Sequence, residues 1–144
     1  MTAKPSYPCH CARRGCRDSF CAVPPSASFR VKMSSSLIFS ATEDDFLQSV
    51  IEASHIQPVL VDFWADWCAP CHALAPVLEK VAHAFAGAVR LAKVEVDDNM
   101  RLAGRYSLRG FPTVILFSRG EERGRFSGAQ PEQFVRSFIE GCLA

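Results

Sequence analysis

The chain has 144 residues, 49% apolar and 22% charged, enough for one globular domain with a real core. No apolar run approaches the roughly 18 residues that a membrane helix needs, which excludes a spanning segment. A net charge of +1 argues against nucleic-acid binding on bulk electrostatics, and seven cysteines are the unusual count.

Those averages hide a split. Residues 1–32 carry six basic side chains against a single acid, Asp18, together with Cys9, Cys11, Cys16 and Cys21. The remainder, 33–144, carries ten Lys or Arg against fourteen Asp or Glu, a formal −4, and holds Cys68, Cys71 and Cys142. Residues 1–32 show no helical or strand period and no apolar h-region of a secretory signal, and they are broken by Pro5, Pro8, Pro24 and Pro25. The stretch reads as a disordered basic tail, or as an upstream extension with Met33 as the true start. A zinc site from Cys9, Cys11, Cys16 and Cys21, with His10 nearby, is the minor alternative, because C-x-C-x4-C-x4-C lacks the paired C-x2-C spacing of structural zinc. An organellar transit peptide fits the charge but not the Cys and Pro content.

From residue 33 the pattern is regular. Leu37-Ile38-Phe39 is strand-like. Thr42 stands where an N-cap belongs, with Glu43, Asp44 and Asp45 complementing a helix dipole, and Phe46, Leu47, Val50 and Ile51 follow at helical spacing. Val59 to Trp64 is a nearly continuous apolar run, the mark of a strand covered on both faces. A helix then runs from near Cys68 to about Ala86 and closes at Gly87. Leu74, Val77, Leu78, Val81 and Phe85 form its buried stripe, and Pro76 should kink it. Val89 to Val96 is a strand, Asn99 to Tyr106 a short helix, and Thr113 to Phe117 a strand turning at Ser118-Arg119-Gly120 into Glu122 to Phe126. Pro131 opens a final helix whose buried face is Phe134, Val135, Phe138, Ile139 and Cys142. The order β-α-β-α-β-α-β-β-α makes an α/β fold, a central mixed sheet with helices on both faces.

The chemistry concentrates in Trp64-Ala65-Asp66-Trp67-Cys68-Ala69-Pro70-Cys71-His72, where a buried strand passes into a helix. Cysteines at i and i+3 on a first helical turn share one face and lie close enough to form a disulfide. Cys68, at the helix N-terminus, receives unsatisfied backbone N–H groups on its sulfur, which favours the thiolate. Cys71, a turn deeper, suits the resolving thiol that releases a mixed disulfide. A zinc half-site would need a second ligand pair that the domain lacks. Cys68-Ala69-Pro70-Cys71-His72 also matches the C-x-x-C-H of c-type haem, but Met100 is the only Met in the domain beyond Met33 to serve as an axial partner. Asp62 lies inside the buried strand, where burial raises a carboxyl pKa; it reads as a proton acceptor for Cys71, against a strand-end Asp that reaches solvent. Lys93, mid-strand in the neighbouring run, either pairs with Asp62 or snorkels to the surface. In Gly110-Phe111-Pro112-Thr113, a Pro just before a strand is a place for a cis peptide bond that leaves the Phe111 backbone available to an extended substrate.

With W-C-x-P-C, F-P-T and an embedded V-D-F-W-A in this strand and helix order, residues 37–144 resemble the thioredoxin family; residues 1–32 lie outside the resemblance. The resemblance implies a thioredoxin fold and a protein-disulfide reductase. It implies Cys68 as nucleophile, Cys71 as resolving cysteine, Asp62 as buried acid–base, Lys93 as its basic partner and Pro112 as a cis-proline. Trp67, Ala69, Pro70, Phe111, Pro112, Gly128 and Ala129 would form the flat apolar patch that receives substrate. Electrons would come from an NADPH-linked flavoprotein thioredoxin reductase, and the clients would be disulfide-containing proteins. Two positions depart from the common W-C-G-P-C-K: Ala69 stiffens the turn, and His72 replaces a fixed positive charge with one that is mostly neutral at pH 7. Cys142 reads as a structural, small apolar residue.

The expectation is therefore a monomeric cytoplasmic thiol-disulfide oxidoreductase with no cofactor beyond its own dithiol, no metal in the domain, and no nucleic-acid or membrane partner. A redox-weak binding module or co-chaperone on the same fold is the rival from another class. A disulfide oxidase or isomerase is the third reading and needs an oxidising compartment.

Overall fold

The computed structural model of the protein describes residues 36–144. Cys9, His10, Cys11, Cys16, Cys21 and Met33, the residues of the zinc and start-site expectations, lie outside the described residues. Five strands, β1 (Ile38–Ser40), β2 (Val59–Trp64), β3 (Arg90–Glu95), β4 (Thr113–Ser118) and β5 (Glu121–Ser127), form one sheet in the order β1-β3-β2-β4-β5. The first three are parallel; β4 runs antiparallel to β2, and β5 antiparallel to β4, so β4 alone opposes the other strands and the sheet is mixed. The helices are α1 (Ala69–Ala84), α2 (Met100–Arg105) and α3 (Glu132–Leu143), preceded by a π-helical segment, Leu47–Glu52, that runs into a 3-10 turn, Ala53–His55.

Strand β2 is central, and its side chains alternate between two cores. Val59, Val61 and Phe63 pack with Phe46, Val50, Val94, Ile115 and Phe117 under the π-helical segment and α2. Ring centroids of Phe46, Phe63, Tyr106 and Phe117 stand 5.5–6.3 Å apart there, at tilted or edge-on angles that suit the aromatic quadrupole. Leu60, on the other face, packs with Leu74, Leu78, Val81, Leu91, Val114, Leu116, Val135 and Ile139 beneath α1 and α3. The alternation places Asp62 on this second face, in register with Lys93 of β3 and Val114 of β4.

Three local expectations need correction. The first helical segment is π rather than α, and its wider i→i+5 turn rotates Leu47 off the buried face to 56% exposure. Thr42 does not accept the capping bond: its N–H and Oγ1 both donate to Asp45 Oδ1, at 2.6 and 3.0 Å, so Asp45 is the capping acceptor. Glu43 turns instead to α2, where its carboxylate accepts from the Arg101 N–H at 2.7 Å. In α3, Val135 and Ile139 are fully buried, but Phe134 is 42% exposed and meets the core only through an edge contact with Phe126.

Helix α3 sits close over β5 because residue 124 is glycine. A Cβ there would stand 2.8 Å from Cys142 Sγ and 3.2 Å from Phe138 Cε2. Gly124→Ala is expected to destabilise the protein by about 1–2 kcal/mol through overpacking. Adding Cys142→Ala should recover most of that loss in denaturant unfolding. Strictly additive losses in the double variant would show that the two side chains do not compete for this space.

Candidate functional site

Cys68 is the N-cap of α1, in extended backbone conformation at φ −91° and ψ 99°. Ala69 and Pro70 begin the helix; Pro suits this first turn because its missing N–H would have no intrahelical acceptor. The cap geometry turns the Cys71 N–H onto Cys68 Sγ at 3.3 Å. The sulfur of Cys68 thus occupies the place of an N-capping oxygen, beside the positive end of the helix. Cys68 and Cys71 are bonded as a disulfide with their Cα atoms 5.3 Å apart, and both are buried. Met100, the one axial-ligand candidate the sequence offered for a haem, is exposed at the start of α2.

Behind the disulfide lies a cavity of about 200 Å³, lined by Asp62, Trp64, Asp66, Cys71, His72, Ala75 and Lys93. It has the size and polarity to hold water. Asp62 is 1% exposed, and its Oδ1 has no hydrogen-bond partner. Burial pushes its carboxyl up to about 7, with the Lys93 charge opposing. Lys93 is Asp62's neighbour across the β2–β3 pair and exerts that charge on it, but its ammonium is hydrogen-bonded to Glu79 of α1 rather than to Asp62. The expected Asp62–Lys93 pair is therefore a through-space interaction, and the direct contact of Lys93 is Glu79.

Of the other predicted residues, Trp67, Ala69, Pro70 and Ala129 are exposed, Phe111 and Gly128 are half-buried, and Pro112 is buried. The Trp67 indole is 67% exposed, fixed by its N–H to Asp97 Oδ2 at 2.9 Å and by an edge contact with the Phe111 ring at 6.0 Å between centroids. Ala69 and Pro70 are exposed beside it. The Phe111–Pro112 peptide is cis, and the Pro112 carbonyl accepts from the Gly128 N–H at 2.8 Å. That bond ties Gly128, at φ +86° where glycine is favoured, and the exposed Ala129 to the same end of the sheet.

Sequence reasoning passed over Glu79, Asp97 and the placement of His72. Glu79 follows His72 by seven residues, two helical turns along one face, and that period was the available signal. Asp97 carries no comparable local mark. Among the described residues, no group of three or more His, Cys, Asp or Glu converges on a metal-sized site, and no helix is long and apolar enough to cross a membrane.

Residues 37–141 match the family model described as Thioredoxin. Among curated proteins the chain is 41% identical over 106 residues to "Thioredoxin C-2" of Corynebacterium nephridii, covering 74% of this chain and 96% of that one. It is 38% identical over 109 residues to a "Thioredoxin" of Acidithiobacillus ferridurans, covering 76% and 99%. With a "Thioredoxin" of Pseudomonas aeruginosa the identity is 37% over 106 residues, covering 74% and 96%.

Proposed function

We infer the workings of this chain from the premise that it belongs to the thioredoxin family and is a thiol-disulfide oxidoreductase, a protein-disulfide reductase of thioredoxin type. The observation that carries the mechanism is the placement of the two sulfurs: one capped by a helix N-terminus, the other beside a buried carboxyl. In the reduced protein Cys68 is the thiolate, favoured by the Cys71 N–H and the helix dipole. It attacks one sulfur of a client disulfide; that S–S bond breaks, the other client sulfur leaves as a thiolate and takes a proton, and Cys68 is left in a mixed disulfide. The Cys71 thiol then gives its proton to the Asp62 carboxylate, directly or through water in the cavity. Its thiolate attacks Cys68 Sγ and expels the second client sulfur. Two electrons have passed to the client, and the Cys68–Cys71 disulfide remains.

A carboxyl that titrates at about 7 both takes and returns this proton near neutral pH. Lys93, held by Glu79, biases Asp62 toward its ionised form. The docking face for an extended client segment is, in this reading, built from Trp67, Ala69, Pro70, Phe111, Gly128 and Ala129 over the buried Pro112. The family implies a reductase that returns electrons and disulfide-bonded clients that take them. In our reading the donor is an NADPH-linked flavoprotein thioredoxin reductase, the compartment is the reducing cytoplasm, and the protein, residues 33–144, works as a monomer, residues 1–32 being a basic extension.

Alkylation and mass spectrometry of Cys68 and Cys71 across a graded dithiol buffer tests the direction of flux. A midpoint near or below about −250 mV is expected of a reductant. A midpoint well above the glutathione pool would replace this reading with an oxidase or isomerase. A pair that never forms the disulfide in solution would leave a binding module.

A further inference from the structure

We propose that Glu79 is a positioning residue for the proton transfer at Asp62: it holds the Lys93 ammonium on α1 and so keeps it from closing a direct ion pair with the Asp62 carboxyl. The proposal rests on the reading of Asp62 as the proton acceptor. Two periods bring the three side chains together. Along β2 and β3, Leu60 and Leu91 are partners on the face beneath α1, and two residues further on Asp62 and Lys93 are partners on that same face. Along α1, Cys71, Ala75 and Glu79 recur at i, i+4 and i+8, one stripe of the helix. Cys71 and Ala75 line the cavity with Asp62 and Lys93. Glu79, the next position of the stripe, binds the Lys93 ammonium as a hydrogen-bonded ion pair.

Lys93 thus has two carboxylates to choose between, and the choice sets how strong a base Asp62 is. Bonded directly to Asp62, the ammonium would satisfy Oδ1 and hold the carboxyl ionised, a weak acceptor for the Cys71 proton. Held by Glu79, it acts on Asp62 only through space, and Oδ1 stays without a partner. Proton transfer near neutral pH is served by the second arrangement, in which the acceptor keeps an affinity matched to the working pH. The other titratable groups here are Cys71, Asp66 and His72 on the wall of the same cavity. Glu95 and Asp98 line a second cavity of about 160 Å³ that shares Lys93 and Trp64. The β4 neighbour of Asp62 is the apolar Val114. An ammonium released from Glu79 therefore meets the half-buried Glu95, the exposed Asp98 and the buried, unpaired Asp62 Oδ1 across the strand pair. The first two reach water; only Asp62 gains a partner it lacks.

The test is a carbon-detected NMR titration of the Asp62 carboxyl in the oxidised full chain, for the native protein, Glu79→Gln, Lys93→Met and the double variant. The Glu79 side chain is 41% exposed and Gln keeps its length, so the first variant retains the core. The Asp62 proton affinity should be roughly tenfold lower in Glu79→Gln than in the native protein. Lys93→Met and the double variant should titrate alike. An affinity that is unchanged or raised in Glu79→Gln overturns the proposal. So does a fall that persists with Met at position 93, because Glu79 would then act through its own charge. A crystal structure of Glu79→Gln decides without any Lys93 variant: Lys93 Nζ should lie within about 3.2 Å of Asp62 Oδ1, and an ammonium placed elsewhere overturns the proposal. The rate at which Cys71 releases a trapped mixed disulfide should keep its shape in Glu79→Gln but move roughly one pH unit toward acid. If neither Glu79→Gln nor Asp62→Asn alters that rate while the NMR curves still separate, the acceptor role of Asp62 fails and the positioning by Glu79 stands.

Discussion

Asp62→Asn is expected to make the oxidised protein several kcal/mol more stable at pH 8 while leaving its stability at pH 4 almost unchanged. In the folded chain the carboxyl keeps its proton up to about 7, against 3.8 for the ordinary group. Between those values the folded state binds more protons than the unfolded state, so stability falls as pH rises, from about pH 4 until the folded carboxyl has ionised. At roughly 1.4 kcal/mol per pH unit the loss approaches about 4 kcal/mol, an upper bound because the cavity lets in water. Asparagine has no charge to desolvate and escapes it, although its amide still asks for partners near the unpaired Oδ1 position. Urea midpoints of both proteins between pH 4 and 9 check this. A difference that does not change with pH would mean that Asp62 does not titrate against burial.

The second large effect divides the two cysteines. Cys68→Ser should lower client reduction by roughly a thousandfold or more and form no covalent adduct. Cys71→Ser should be as poor in turnover yet accumulate a stable mixed disulfide at Cys68, seen as an added client mass that a dithiol removes. The asymmetry follows from position: Cys68 holds the N-cap, and Cys71 lines the cavity behind it. Adducts on Cys71 in the Cys68→Ser variant at comparable rates would reverse the roles. Turnover surviving in both variants would remove the dithiol from the chemistry altogether.

What could be read from the sequence was whatever is encoded within a few residues. The apolar run Val59–Trp64, the i, i+3 cysteines behind a buried strand, and Pro70 in a first helical turn each carry their own local physics, and each lies where that physics puts it. Asp62 was legible because a carboxylate inside a two-sided apolar run has nowhere to go but the interior. Leu47 misled because a period of 3.6 is assumed when a helix is read from spacing, and the chain takes the wider π turn; Thr42 misled because Asp45, three residues on, accepts the bonds instead. Glu79 and Lys93 are 14 residues apart on a helix and a strand, and Trp67 and Asp97 are 30 apart across a crossover. Contacts of that span depend on how the crossovers pack, and no local period announces them.

The tethering of Trp67 has a thermodynamic consequence for docking. Two-thirds of the indole faces solvent, yet its N–H is held by Asp97 and its ring is braced by Phe111. A bare aromatic surface of this kind loses almost no rotamer freedom when a partner covers it, so most of the gain from excluding water is kept as affinity. The counterpart is selectivity. A rigid, permanently exposed ring offers the same welcome to any extended apolar segment, and choice among partners must then come from the chemistry beneath it, since only a sulfur–sulfur bond lets the encounter become covalent.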